Sequence, residues 1–385
     1  PDDDRPRLVF ADWLDEQGDP RGEFIRVQVE LANLPRLGPR RAELAAREAG
    51  LLREHADEWR EPLPPLPGVV WGPFVRGFVE EVEVASWSAY VTYAPALFAA
   101  GPVSRLKFSA LTGRELARFA GSPVHGPLDR LDLTDCRVHD AGVQALARSR
   151  HLIGLRALGL AGSGVGDDGV AALAGSKRSG GLTELDLSWN ELTADGVAAL
   201  AGSPNLARLA SLDLGHNGLG KRGAWAIAES EHLVGLRSLN LASTRVGPSG
   251  LARLAESPRL AGLAVLNLRS NRVGPVGMEA LAASPYLAAL EELNLHSNGL
   301  GDAGAEALAE VASLGSLAVL DLRHNQIGRA GGLALAELPH LPALKRLDLR
   351  NNRPDADAVQ ALVDRFGDRV LWAPDRRPVQ EAGEG

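Results

Sequence analysis

From Leu128 to Leu362 one arrangement of apolar and polar positions returns every 27 residues, nine times over. One copy reads Leu290-Glu-Glu-Leu293-Asn-Leu295-His-Ser-Asn298-Gly-Leu300-Gly-Asp-Ala-Gly304-Ala-Glu-Ala-Leu308-Ala309. The second Leu of each copy falls at Leu131, Leu158, Leu185, Leu212, Leu239, Leu266, Leu293, Leu320 and Leu347, with no insertion between them. A fixed period of this length marks a solenoid of stacked units. The L-x-x-L-x-L half alternates its side chains between two faces, which predicts a strand. The second half starts near a Gly and runs into apolar residues at helical spacing, as in Val143, Leu146 and Ala147, which predicts a short amphipathic helix. Ser-Pro pairs at Ser203-Pro204, Ser257-Pro258 and Ser284-Pro285 close several of these helices, since proline does not continue one.

Each copy is therefore strand, turn, helix and return loop. Crossovers of this kind are right-handed and join parallel neighbours, so the strands form one sheet with helices along its outside. Strands pack closer than helices, which makes the sheet the concave wall of an arc about 40 Å long. One copy cannot stand alone, so the array needs neighbours and capped ends. A turn column, Cys136, Ser163, Asn190, Asn217, Thr244, Asn271, Asn298, Asn325 and Asn352, sits where the chain leaves the sheet. Asn there satisfies both kinds of stranded backbone group, because its amide donates and accepts.

This L-x-x-L-x-L-x-x-N-x-L-x-x-x-G-x-x-x-L signature resembles the leucine-rich repeat family, specifically its ribonuclease-inhibitor-like class with a helix in every repeat, over about 60% of the chain. The resemblance implies an α/β solenoid and a binding scaffold rather than an enzyme. Relatives that inhibit nucleases or activate small GTPases suggest a regulatory subunit as the alternative. Cys136, Ser163 and Thr244 in the turn column, Ser179 in place of Leu and Pro354 in the last copy depart from the pattern and predict locally weaker packing.

Residues 1–60 lack the repeat and predict three helices: Asp4 to Glu16, a second capped by Asp19 with Pro20 at its first position, and a third from Arg40. The run from Arg7 to Arg26 is similar to the bacterial repeat-companion domain. Its charged residues, Asp12, Asp15, Glu16, Asp19, Arg21, Glu23 and Arg26, read as caps and ion pairs rather than a carboxylate centre. Residues 61–78, rich in Pro, read as a stiff spacer. Residues 79–127 read as a cap plus a shortened copy, and 128–373 as repeats with a C-terminal cap. Leu371 is expected in register with Leu344, Pro374 halts pairing, and 374–385 form a tail.

Composition narrows the function. The chain is 45% hydrophobic but only 5% aromatic, which suits a core of thin Leu and Ala layers. A net charge of −8 argues against a nucleic-acid binder, which needs a basic stripe. One cysteine leaves no intramolecular disulfide, and no stretch is long and apolar enough for a membrane helix. A monomeric, cytoplasmic protein without cofactor or metal is expected. The chain starts at Pro1 rather than Met, which leaves room for a preceding segment.

With Leu131 and Leu133 inside, the concave face should show the columns Asp132, Gly159, Asp186, Asp213, Asn240, Asn267, Asn294, Asp321, Asp348 and Thr134, Ala161, Ser188, Gly215, Ala242, Arg269, His296, Arg323, Arg350. That face is acidic toward the first copies and basic toward the last four. Trp189, His216, Arg269, His296, Arg323, His324 and Arg350 are the candidate anchors for a protein or peptide, because Trp and Arg concentrate binding energy at interfaces. The plainer alternative is that the Arg column pairs with the acidic one across strands. Reversal of Arg323 and Arg350 to Glu should then abolish binding only if the first reading holds. Trp225, on an outer column otherwise filled by alanine, marks a second contact surface or a stray exposed aromatic. Catalysis fits poorly. His216 and His324 stand four copies apart, about 19 Å by strand spacing, and Cys136 reads as a buried structural thiol.

Overall fold

A computed structural model describes residues 3–34, 38–122, 126, 128–311, 313–338 and 341–372. The expected tail, 374–385, lies outside the described residues. Three helices open the chain: α1 (Arg5–Glu16), α2 (Arg21–Asn33) and α3 (Pro39–Arg60). The second starts one residue later than expected, yet Asp19 still accepts the Arg21 N–H at 2.8 Å. The charged run divides into ion pairs of Arg26 with Asp12 and Asp15 at 2.5 and 2.7 Å and of Glu23 with Arg47 at 2.6 Å.

The stretch 61–78 carries strands where a spacer was expected: β1 (Val69–Trp71), β2 (Phe74–Val75) and the start of β3 (Phe78–Val79). Arg76 and Gly77 both take positive φ between β2 and β3, the geometry of a tight hairpin turn. A Cβ on Gly77 would meet Ile25 at 2.1 Å, so only glycine lets the hairpin approach α2. Buried Gln28 donates to the Phe74 carbonyl and accepts the Gly77 N–H, and Phe24, Leu51, Trp59, Phe74 and Val79 form one cluster. Apolar residues at Trp71, Phe74, Phe78 and Val79 explain the difference, because they give this segment something to bury.

The solenoid begins with β4 (Glu81–Val84), α4 (Trp87–Ala100), β5 (Arg105–Phe108) and α5 (Gly113–Gly121). Its regular strands are β6 (Arg130–Asp132), β7 (Ala157–Gly159), β8 (Glu184–Asp186), β9 (Ser211–Asp213), β10 (Ser238–Asn240), β11 (Val265–Asn267), β12 (Glu292–Asn294), β13 (Val319–Asp321) and β14 (Arg346–Asp348). After them comes β15 (Val370–Leu371). A helix follows each regular strand, among them α6 (His139–Arg148), α7 (Asp167–Gly175), α8 (Ala194–Ala201), α9 (Gly220–Glu229) and α10 (Gly247–Ala255). Among the described residues, the thirteen strands outside the β2–β3 hairpin share one sheet in chain order, parallel throughout except for β1 against β4. Equivalent residues pair at the 27-residue offset, Leu239 with Leu212 and with Leu266 for example. The leucines of every layer join a single continuous core.

Two side-chain ladders hold the layers. In the turn column, the Asn325 amide donates to the carbonyls of Leu295 and Leu322 at 2.8 and 3.0 Å, while its oxygen takes the Asn298 N–H at 2.9 Å. Cys136, Ser163 and Thr244 keep one half of this, each donating to a core Leu or Phe carbonyl. The second ladder runs along the helix ends. Ser149, Ser176, Ser203, Ser230, Ser257 and Ser284 each donate to the carbonyl of an alanine that is the last or penultimate residue of the previous copy's helix, at 2.5 to 2.6 Å. Three of them, Ser203, Ser257 and Ser284, precede proline, and all six satisfy carbonyls that a helix end leaves without partners. Ser179 is fully buried and donates to the Leu173 carbonyl, so polarity there is absorbed rather than disruptive.

The last strand corrects the expected register. Val370 pairs with Leu347, which the 27-residue offset would match to position 374, outside the described residues, and Leu371 is exposed beside Asp348. A single 3₁₀ turn, Gly367–Arg369, connects α14 (Ala356–Phe366) to β15, so the offset from Leu347 to its partner Val370 is 23 residues, four fewer than the 27 of the other copies.

Candidate functional site

The concave face is built from three outward positions per strand. The column Asp132, Asp186, Asp213, Asn240, Asn267, Asn294, Asp321 and Asp348 serves the backbone, since each side-chain oxygen accepts the N–H two residues on, at 2.9 to 3.3 Å. Much of its polarity is therefore committed to ending the strand.

Arg323 and Arg350 are also committed. Arg323 pairs with Asp321 at 2.5 Å and lies 3.7 Å from Asp348; Arg350 pairs with Asp348 at 2.6 Å, and Arg346 adds a third guanidinium at 3.2 Å. The pairing runs mainly within a strand rather than across strands, because residues two apart lie on the same face. Burial pushes the Asp348 carboxyl upward, but the hydrogen bonds from Arg350 and Arg346 hold it below the usual carboxylate range. The basic end of the face is thus internally neutralised. Arg130 and Glu184, at a position that faces the same side but was not singled out in the sequence, also form an ion pair. Arg269 differs: it is exposed and has no ion pair among the described residues.

The next position is the tip of each turn, and Asp135, Gly162, Trp189, His216, Ser243, Ser270, Ser297, His324 and Asn351 all hold positive φ there. Non-glycine residues resist this conformation unless the surroundings impose it. The turn does so through its N–H, which donates to the next copy, from Trp189 to Gly215 at 2.8 Å and from His216 to Ala242 at 2.7 Å. Trp189 and His216 therefore project from fixed backbone. Their rings stack at 3.6 Å between centroids and 9° between planes, with 63% of Trp189 exposed. The residue one copy before Trp189 is Gly162, which brings no ring of its own. Burial, then the nearby Arg269 charge, pushes the His216 imidazole below its ordinary value.

His296 and His324 make a second ring pair, tilted, 4.9 Å apart. The Asn351 amide lies 2.7 Å from His324 Nε2. Burial and Arg269 likewise lower the His296 imidazole, whose Nδ1 is buried with no hydrogen-bond partner among the described residues.

Trp225 stands apart, on helix α9 at the convex side. Its indole N–H donates to the Ser249 carbonyl at 3.2 Å, and Lys221 Nζ lies 5.4 Å from its ring centre. Two shallow recesses occupy the concave sheet. One of ≈ 250 Å³ is lined by Asp132, Asp186 and Asp213 among others, and one of ≈ 270 Å³ by Asn267, Asn294, Val265, Val319 and Arg323 among others. Burial raises the Asp213 carboxyl in the first. Among the described residues no cluster of His, Cys, Asp and Glu suits a metal ion, and no helix is long and apolar enough to cross a membrane. Burial pushes the Cys136 thiol up to about 11, which keeps it protonated.

The Leucine Rich repeat family matches the chain at residues 127–147, 182–201, 209–228, 263–282, 288–309 and 316–336. No curated protein matches it. Among solved structures it is similar to an internalin of Listeria monocytogenes, at 18% identity, covering 76% of this chain and 77% of that one with a TM-score of 0.44. It is also similar to the yeast Rad7–Elc1 complex, at 19% identity, covering 72% and 79% with a TM-score of 0.43. A third is the leucine-rich-repeat ectodomain of the Arabidopsis receptor kinase HAESA with its peptide hormone ligand, at 18% identity and a TM-score of 0.37. This chain covers only 36% of the HAESA ectodomain, and the match spans 62% of this chain.

Proposed function

We propose that this leucine-rich-repeat chain is a non-enzymatic scaffold that holds a protein or peptide against its concave face, with Trp189 and His216 as the anchor. The observation that carries the reading is a largely exposed indole, stacked on an imidazole and projected from backbone that both neighbouring layers fix. A rigid aromatic platform loses little entropy when it is covered, which is what an interface anchor requires. Arg269 and His296 extend the contact toward the later copies. Arg323 and Arg350 are supporting elements, since their charges already have partners. The N-terminal helices and the β1 strand, which covers the free edge of β4, act as the cap that the array needs.

Among the described residues the groups singled out for chemistry do not come together. The two ring pairs belong to separate copies, and the thiol is buried. The test is substitution of Trp189→Ser and His216→Ser, singly and together, in a chain whose partner has been recovered by cross-linking. Loss of about 2 kcal/mol or more of binding free energy from Trp189→Ser is expected of an anchor. Unchanged affinity in the double variant would refute it.

A further inference from the structure

Resting on the concave-face reading, we infer that the middle of that face is a subsite for a carboxylate: Arg269, His296 and the side-chain amides of Asn267 and Asn294 receive an Asp or Glu side chain from an extended partner segment.

Three features converge there. Asn267 and Asn294 each give their oxygen to a backbone N–H, of Arg269 and His296 respectively, at 3.0 Å. That need for an acceptor fixes which end of each amide is nitrogen. Both Nδ2 groups are then left without an acceptor among the described residues. The Asn240 amide, one copy earlier, is spent on Asp213 at 2.8 Å. Arg269, two residues beyond Asn267 on the same face, brings a guanidinium that no acidic residue claims among the described residues. Elsewhere on the face Arg130, Arg323 and Arg350 all have carboxylate partners.

The surrounding charges leave the spot cationic. Asp213 is two copies away and holds the Gly215 N–H as well as Asn240. Asp321 is clamped by Arg323. Glu292 lines the same recess two residues before Asn294, about 7 Å along the strand, and stands farther from His296 and Arg269, so it borders the subsite on the side away from the guanidinium. His216, His296 and His324 complete the set; burial first, then the Arg269 charge, lowers the first two. Two amide donors beside a guanidinium that has no ion pair among the described residues present N–H groups toward the open side, complementary to a carboxylate.

A carboxylate seated at Arg269 offsets the field that lowers His296 and His216, so their bound-state values rise above the free ones. Binding then takes up protons. The extra affinity is complete below the free-state values and disappears as pH rises through the bound-state values. The carboxylate itself titrates lower, near about 4, and stays ionised throughout.

The probe is acetylated, amidated tetraglutamate, with tetraglutamine as its neutral counterpart, titrated into the whole chain while the histidine ring protons are followed by NMR. Tetraglutamate should move His296 and His216, raise their midpoints and bind several-fold tighter near about pH 6 than near about pH 8. Tetraglutamine should do none of this. Arg269→Gln should weaken tetraglutamate roughly three- to tenfold and raise both histidine midpoints in the free protein. Arg222→Gln, on the outer helix α9, should leave every one of these readouts unchanged. Tetraglutamate that leaves His296 undisturbed, or binding that Arg269→Gln does not weaken, would overturn the subsite. If that failure coincides with partner cross-links still forming on the concave strands, the carboxylate assignment falls while the concave interface stands.

Discussion

Removal of one rung of the turn ladder isolates what holds the layers together. Asn271 is fully buried; its amide donates to Leu241, Leu268 and Arg269 carbonyls at 2.6, 3.0 and 3.2 Å, and its oxygen takes the N–H groups of Thr244 and Val246 at 3.2 and 3.0 Å. In Asn271→Ala the carbonyls keep other donors: Thr244 Oγ1 on Leu241, Asn298 on Leu268 and the Ser243 N–H on Arg269. Thr244 and Val246 N–H lose their only acceptor among the described residues. Two buried orphan donors at roughly 1–3 kcal/mol each give a cost of about 4 kcal/mol. Ser257→Ala, in the outer ladder, removes a single bond to the Ala228 carbonyl and should cost about 1 kcal/mol. Urea unfolding reads the total, and hydrogen exchange at Thr244 and Val246 reads the site, because stacked repeats couple mainly to their neighbours. A loss below about 1 kcal/mol for Asn271→Ala, or equality with Ser257→Ala, would refute the ladder reasoning.

Other expectations follow from the same contacts. Protonation of the stacked His216 should change Trp189 fluorescence, with a midpoint below the ordinary imidazole value; a midpoint at or above it would contradict the burial and Arg269 effects. Because the His216 value is depressed on folding, its contribution to stability declines as pH falls through the unfolded value toward the folded one. Asp348→Asn should cost about 2 kcal/mol at neutral pH, by releasing three guanidinium groups. The native carboxylate's contribution is present above its unfolded value and lost as pH falls through the folded one, so the variant's deficit should shrink in acid unfolding experiments. Cys136 should resist iodoacetamide in the folded chain and label on unfolding; ready labelling of folded protein would contradict its burial.

The array itself was legible because burial imposes a strict period on Leu131 and its equivalents. The turn column was legible because Asn alone among small side chains serves both backbone groups. What escaped was position-specific. The outer serines share the 27-residue period from Ser149 to Ser284, but their pairing with alanine carbonyls depends on how helix ends meet in space. Pairing of the Arg column with the acidic one is expected across strands, whereas Asp321 and Asp348 hold Arg323 and Arg350 mainly within their own copies. The strands in 61–78 were masked by prolines, and the register of β15 by a final offset shorter than the period. Trp189 and His216 were both singled out, yet their stacking follows from a left-handed turn that no propensity scale assigns to tryptophan.

The concave interface is tested most directly by site-specific photo-cross-linking in the native cell. A photoreactive residue is placed at Ser238 on strand β10, between the Trp189 shelf and Arg269, and in a second chain at Ala252 on the outer face of helix α10. A discrete protein adduct from the Ser238 position that Trp189→Ser removes, with none from Ala252, is the expected result. Adducts from Ala252 alone, or Ser238 adducts indifferent to Trp189, would contradict binding on the concave face.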